Sequence, residues 1–171
     1  MEKKQITARS IALMGILIAM QVVLSRWLSI PTQFVKISFA FIPVVFMAMT
    51  FSPLLAGVGN GFADFIGASL FPSGPFFPGF TLTAFLAGVI YSSFYYKKEM
   101  TLKRIILANV TVTVFMNLIL NTLWLYIMFG SSALAFIPAR LISSSIMLVV
   151  QVTITYSMSN VKVLQQQLVK F

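Results

Sequence analysis

Six apolar stretches, at about 6–28, 37–52, 53–71, 79–97, 101–129 and 134–158, occupy most of this 171-residue sequence. A bilayer core about 30 Å thick needs ~20 apolar residues of helix to cross it, and each stretch reaches or approaches that length. Backbone polar groups find no partners in hydrocarbon, so a spanning segment must satisfy its own hydrogen bonds. The expectation is an all-α integral membrane protein of six transmembrane helices, forming a single substrate-binding domain over 1–171. The second and third stretches are both short. Only Ser52 and Pro53 part them, which predicts a tight cytoplasmic turn.

Composition agrees with lipid as the solvent: 59% of residues are hydrophobic and 9% charged, against roughly a quarter charged in soluble domains. Lys3, Lys4 and Arg9 precede the apolar run Ile11 to Leu24, in the manner of an export signal. No A-x-A-like cleavage site follows, so this stretch is expected to be a retained helix.

The residue inventory narrows the chemistry. Cysteine and histidine are absent, which removes thiolate nucleophiles, soft-metal sites and the commonest general base. The acids are Glu2, Asp64 and Glu99, and of these Asp64 alone falls inside an apolar stretch, so no carboxylate pair can assemble in the membrane. Neither a G-x-x-x-x-G-K-[ST] loop nor a G-x-G-x-x-G fingerprint occurs. The chain is expected not to be an enzyme, to use no cofactor or metal, and to leave any ATP hydrolysis to a partner. Its net charge of +9 is carried at helix ends, which suits anionic lipid headgroups and not nucleic acid.

Those charges are sorted. Six spans place both termini on one side, with Lys3, Lys4, Arg9, Lys97, Lys98, Lys103, Arg104, Lys162 and Lys170. The opposite side keeps Arg26, Lys36 and Arg140. By the positive-inside rule the termini are cytoplasmic. The outer cations oppose that bias and so need another explanation. Interfacial snorkelling is one. A receptor for an anionic small molecule is the other, with arginine offering a bidentate fork to a carboxylate and lysine a point charge.

Several faces carry further signal. Ala8, Ala12, Gly15 and Ala19 form one narrow stripe on the first helix, suited to close approach by another helix of this chain or of a partner. On the third helix Gly57 and Gly61 make a G-x-x-x-G packing face, followed by Gly67, while Asn60 and Asp64 share a face. Asp64, an ionisable group within a span, is either counter-ion to an outer cation or acceptor for a donor-rich ligand. Residues 71–80, F-P-S-G-P-F-F-P-G-F, combine rigid turns with flat rings, Phe76 and Phe77 among them. They suit an interfacial aromatic belt or a lid over a planar ligand. Thr113, Asn117, Asn121 and Trp124 align on the fifth helix, and Arg140, Ser144, Met147 and Gln151 on the sixth. Polar stripes on several helices, meeting on the outer side, suggest a hydrated or ligand-filled cavity.

Gly79-Phe80-Thr81-Leu82-Thr83-Ala84-Phe85-Leu86-Ala87-Gly88-Val89-Ile90-Tyr91, Leu120-Asn121-Thr122-Leu123-Trp124-Leu125 and Ala8-Arg9-Ser10-Ile11-Ala12 resemble the folate-specific S components of energy-coupling-factor vitamin transporters. The likeness runs over nearly the whole chain, with one departure at Ser92, where relatives tend to have glycine. The resemblance implies a six-helix S-component fold in a bacterial cytoplasmic membrane and capture of folate or a reduced folate from outside. It also implies a transmembrane coupling subunit and two ATPases as partners, with the coupling subunit meeting the face of Ala8, Ala12 and Gly15. Outer loops at 29–36 and 72–79 would close over the ligand. Folate's glutamate carboxylates suit Arg26, Lys36 and Arg140; its flat pterin suits Phe76, Phe77 or Trp124, with Asp64 and Asn121 receiving its N–H donors. Other readings stay open: an S component for riboflavin or a queuosine precursor, or a non-transporting membrane scaffold.

Overall fold

The computed structural model describes residues 7–27, 29–31, 36–72, 75–131, 135 and 137–159. In chain order these form α1 (Ala8–Arg26), strands β1 (Ser29–Pro31) and β2 (Lys36–Ser38), α2 (Phe41–Thr50), α3 (Pro53–Leu70) and α4 (Pro78–Tyr95). A continuous helical rod follows, made of α5 (Leu102–Thr111), a π-helical segment (Val112–Leu120) and α6 (Asn121–Phe129), and α7 (Ile137–Ser159) ends the described chain.

Local chemistry sets several helix starts. The Thr7 hydroxyl accepts from Ser10 N at 3.3 Å, and Thr101 accepts from Arg104 N at 3.4 Å, each taking an amide that the first turn leaves unpaired. Pro53 and Pro78 open α3 and α4, where a missing N–H costs nothing and the ring presets φ.

The helical expectation for 37–52 needs correction. Residues Lys36–Ser38 pair antiparallel with Ser29–Pro31, in the register Ser29 to Ser38, Ile30 to Ile37 and Pro31 to Lys36. Ser38 explains the boundary: its hydroxyl donates to Leu24 O and accepts from Ala40 N, both at 3.2 Å. Side-chain bonds of this kind offer the backbone a turn in place of a helix. The fold is therefore helical with one two-stranded hairpin added. What remains of the stretch is the ten-residue α2, about 15 Å long at 1.5 Å per residue.

Eight of those ten residues are buried, so α2 is a central element wrapped by other helices. Val45, Met47 and Ala48 are fully enclosed, and Tyr91, Tyr95, Ile105, Ala108, Val112 and Met116 complete the core around α2, α4 and the rod. Among the described residues, Ala8–Arg26, Leu102–Phe129 and Ile137–Ser159 are long and apolar enough to cross a membrane. Each of α3 and α4 has 18 residues, but they interleave glycine and polar groups with their apolar ones.

Helices α3 and α4 pack most closely, and the G-x-x-x-G face is the reason. A Cβ at Gly57 would lie 2.6 Å from Val89 Cγ2, and one at Gly61 would lie 3.2 Å from Phe85 Cβ. Gly88 answers from α4, where a Cβ would meet Ala56 O at 2.7 Å. Bare backbone on both helices brings dispersion contacts into range. The turn between α2 and α3 sits at Ser52 as expected, and Ser92 secures it by donating to Phe51 O at 2.7 Å. The Ser92 hydroxyl thus satisfies a carbonyl at the end of α2.

Two buried polar groups tie helices together. Gln21 on α1 donates to Asn60 on α3, which donates to Ala84 O on α4. Asn109 on α5 accepts from the Tyr91 hydroxyl at 3.0 Å and donates to Tyr95 Oη at 3.2 Å.

Candidate functional site

A cavity of about 190 Å³ opens where α1 ends, beside the C-terminal half of α3 and the start of α4. Its lining is Arg26, Asp64, Ala68, Pro72, Pro75, Phe76, Phe77 and Phe80. Four residues singled out from the sequence, Arg26, Asp64, Phe76 and Phe77, therefore converge. One cation, one carboxylate and three aromatic rings make a wall that can clasp a flat, polar-edged group. The volume is below the ~300–1,000 Å³ of sites that enclose a drug-sized ligand, so it suits one end of a longer molecule.

Each polar group is held in place. Asp64 Oδ2 accepts from Thr81 Oγ1 at 3.0 Å, which links α3 to the first turn of α4 and leaves further lone pairs for a ligand. Arg26 is the last residue of α1, and its guanidinium lies against α3 at Gly67. Gly67 stands three residues after Asp64, on the same side of α3, so cation and carboxylate reach the cavity from neighbouring ground.

The rings pack in two sets, Phe65 with Phe76 and Phe77 with Phe80 and Trp124. Phe76 packs edge-on against Phe65 at 6.0 Å between centroids, Phe77 edge-on against Phe80 at 6.1 Å, and Phe77 against Trp124 at 5.6 Å. Edge-to-face pairs at these separations are favourable and orient one another. Proline brackets them, with Pro72 and Pro75 in the wall and Pro78 starting α4.

The remaining sequence candidates fall elsewhere. Trp124 stands behind Phe77, outside the cavity lining, with its indole N–H donating to Thr83 Oγ1 at 2.9 Å. Arg140 Nη2 donates to Asn117 O at 2.8 Å, which fastens α7 to the π-helical segment. The rod was expected to be α-helical throughout; its middle is π-helical, and the i→i+5 pattern places carbonyls such as that of Asn117 off the α ladder. The carbonyl oxygen of Asn121's side chain is buried with no hydrogen-bond partner among the described residues. For Lys36 the backbone lies in β2, and its side chain lies outside what is described, as do residues 32–35 and 73–74 of the two loops expected to close over a ligand.

Sequence reasoning missed Ala68, Phe80 and the two threonines as site residues. Ala68 sits one turn beyond Asp64, so the i, i+4 rule would have found it. Phe80, Thr81 and Thr83 stood in a quoted motif, but nothing in their spacing told which neighbour each would meet.

Along the helix that opens the chain, Ala8, Ala12, Gly15 and Ala19 are all exposed, and a Cβ at Gly15 would have nothing within 4 Å. Among the described residues, the small-residue stripe therefore packs against no other helix.

Comparison with known proteins adds a family and two kinds of relative. The family described as ECF transporter, substrate-specific component, matches residues 9–163. A folate transporter FolT of Clostridium novyi is 41% identical over 143 residues, covering 84% of this chain and 83% of its own. One of Leuconostoc mesenteroides is 36% identical over 166 residues, covering 94% and 89%. Among solved structures, the crystal structure of FolT bound with folic acid superposes with a TM-score of 0.85 at 51% identity, covering 90% of this chain and 96% of that one.

Proposed function

The chain belongs to the substrate-specific components of ECF transporters, and from that premise we propose that it captures folate at the outer face of the membrane and delivers it across. The observation that carries the ligand's identity is the convergence of Arg26, Asp64 and the Phe76, Phe77 and Phe80 rings on one cavity, in a chain half identical to a folic-acid-bound relative. A pterin is flat, with N–H donors along one edge. Asp64 accepts from those donors, the rings stack on its faces, and Arg26 donates to ligand oxygen. Asn121, one helix away, is a second acceptor on the same side. The glutamate tail extends past this small cavity, and Lys36 and Arg140 are the cations proposed to meet its carboxylates.

Six spans with both termini in the cytoplasm of a bacterial cell put this cavity outside, and the excess of Lys and Arg near the termini and the α4–α5 loop supports that orientation. The chain is a transport subunit without an ATPase site of its own. Energy comes from a module of a transmembrane coupling subunit and two ATPases. The exposed face of Ala8, Ala12 and Gly15 is where the coupling subunit docks, because small residues let a second helix approach closely.

Mass spectrometry of ligand released from the purified protein tests the proposal, alongside folate titration with riboflavin as competitor. Folate or a reduced folate is expected, with no displacement by riboflavin. A protein that binds no folate, or exchanges it for riboflavin, would refute the assignment.

A further inference from the structure

We propose that Thr83 is a positioning residue for the ligand: its hydroxyl fixes Trp124 behind Phe77 and thereby sets the ring wall against which the ligand's aromatic end lies. The inference rests on the proposed function in taking the cavity as the ligand's site.

Thr83 lies on α4, is 5% exposed and does not line the cavity. Its hydroxyl has one proton to give, and gives it to Gly79 O one turn back at 3.0 Å. That fixes the rotamer and leaves a lone pair directed away from the α4 backbone. The indole N–H of Trp124 occupies it at 2.9 Å. An indole can only donate, so in apolar surroundings its ring settles where an acceptor is found. Trp124 is thereby held to α4 from 41 residues away.

Consequences pass forward through the rings. Trp124 packs on Phe77 at 5.6 Å with 47° between planes, and Phe77 meets Phe80 at 6.1 Å and 76°. Phe77 and Phe80 both line the cavity. Gly79 lets this happen: a Cβ there would lie 2.6 Å from Trp124 Cδ2 and would also run into the Phe77 ring. Without the Thr83 bond the indole is free to move among its staggered rotamers, and Phe77 loses the surface that holds its plane. A residue important only for packing would not need its hydroxyl aimed at the indole.

The test uses full-length protein with Trp27→Phe, which leaves Trp124 as the sole tryptophan. Trp27 is 74% exposed and lies outside the cavity lining. Quenching of Trp124 by folate gives the Kd, and emission without ligand reports the hydrogen bond. Thr83→Val is expected to raise the Kd roughly tenfold and shift the emission maximum, because it removes the acceptor of the part-buried indole N–H. Thr83→Ser keeps the hydroxyl and is expected to stay within about threefold of the parent, with an unshifted spectrum. Trp124→Phe keeps a ring but not the N–H; followed by filter binding of labelled folate, it should match Thr83→Val, and the double variant should be no weaker than either single one. This second route holds if Thr83→Val fails to fold. An unshifted spectrum with unchanged Kd in Thr83→Val, a serine variant as weak as valine, or additive losses would overturn the positioning role alone. A parent that binds no folate would overturn the proposed function and the role with it.

Discussion

Arg26 lies across Gly67 so closely that a Cβ there would stand 3.1 Å from Nε and 3.5 Å from Nη2. The glycine is thus a seat for the guanidinium, set three residues beyond Asp64. Gly67→Ala is expected to leave the fold intact, since the atoms to be displaced are the far end of a flexible side chain and alanine favours helix by ~1 kcal/mol. Arg26 must shift, and a hydrogen bond from a charged group is worth about 1.5–3 kcal/mol, so folate affinity should fall about 10- to 100-fold. Titration calorimetry and thermal unfolding on the same sample check both halves. An alanine variant that binds as tightly as wild type would show that the seat is not used.

Asp64 accepts from Thr81 at 3.0 Å while lining the cavity with Arg26, so it has two conceivable clients, the arginine and a ligand. Asp64→Asn keeps the Thr81 contact, because an amide oxygen also accepts, but replaces one acceptor oxygen by a donor. If Asp64 receives the pterin's N–H groups, folate and an isolated pterin should both lose about tenfold in affinity, and p-aminobenzoylglutamate should be unchanged. If it serves Arg26 alone, the losses should follow whatever ligand part Arg26 holds. Competition binding with the three compounds separates the outcomes.

Much of the site was legible because lipid makes certain residues conspicuous. A carboxylate within an apolar stretch has to face a partner or a cavity, and Asp64 does. Glycines four apart on a membrane helix signal close approach, and Gly57 and Gly61 meet α4 at contact distance. What could not be read were matters of local competition and long-range pairing. Ser38 stops a helix only because Leu24 O and Ala40 N are both within reach, and strands of three residues leave no periodicity to detect. The π-helical segment looks like any apolar helix in sequence, so the carbonyl of Asn117 could not be foreseen as Arg140's acceptor. Thr81 and Thr83, two residues apart on α4, serve different helices, and spacing alone did not assign them.

Ala12 is exposed on α1 beside Ala8 and Gly15, and no helix among the described residues covers it. A bulky residue there should spare the protein's own packing and its cavity while holding the coupling subunit away. Ala12→Trp is expected to retain the wild-type Kd for folate but to lose most co-purification with the energising module, along with ATP-driven uptake in proteoliposomes. Loss of binding in the isolated subunit would assign the stripe an internal role; full uptake would remove it from the docking face.

Asn109 is fully buried and closes a polar cluster with the Tyr91 and Tyr95 hydroxyls and Ile105 O. Tyr91 stands eleven residues beyond Phe80 on α4, about 16 Å from the cavity end at 1.5 Å per residue. The cluster should therefore govern stability and not affinity. Asn109→Leu leaves buried phenol hydroxyls without a partner, at about 1–3 kcal/mol each, so a clear fall in the unfolding temperature is expected in detergent. Folate Kd should stay within about twofold for the refolded or stabilised variant. Replacing the hydroxyls as well, by Tyr91→Phe and Tyr95→Phe in the Asn109→Leu background, removes the unsatisfied groups and should restore most of the lost stability, since an apolar set of similar shape incurs no such penalty. If the triple variant is less stable than the single one, the cluster contributes net hydrogen-bond energy and not merely satisfied burial.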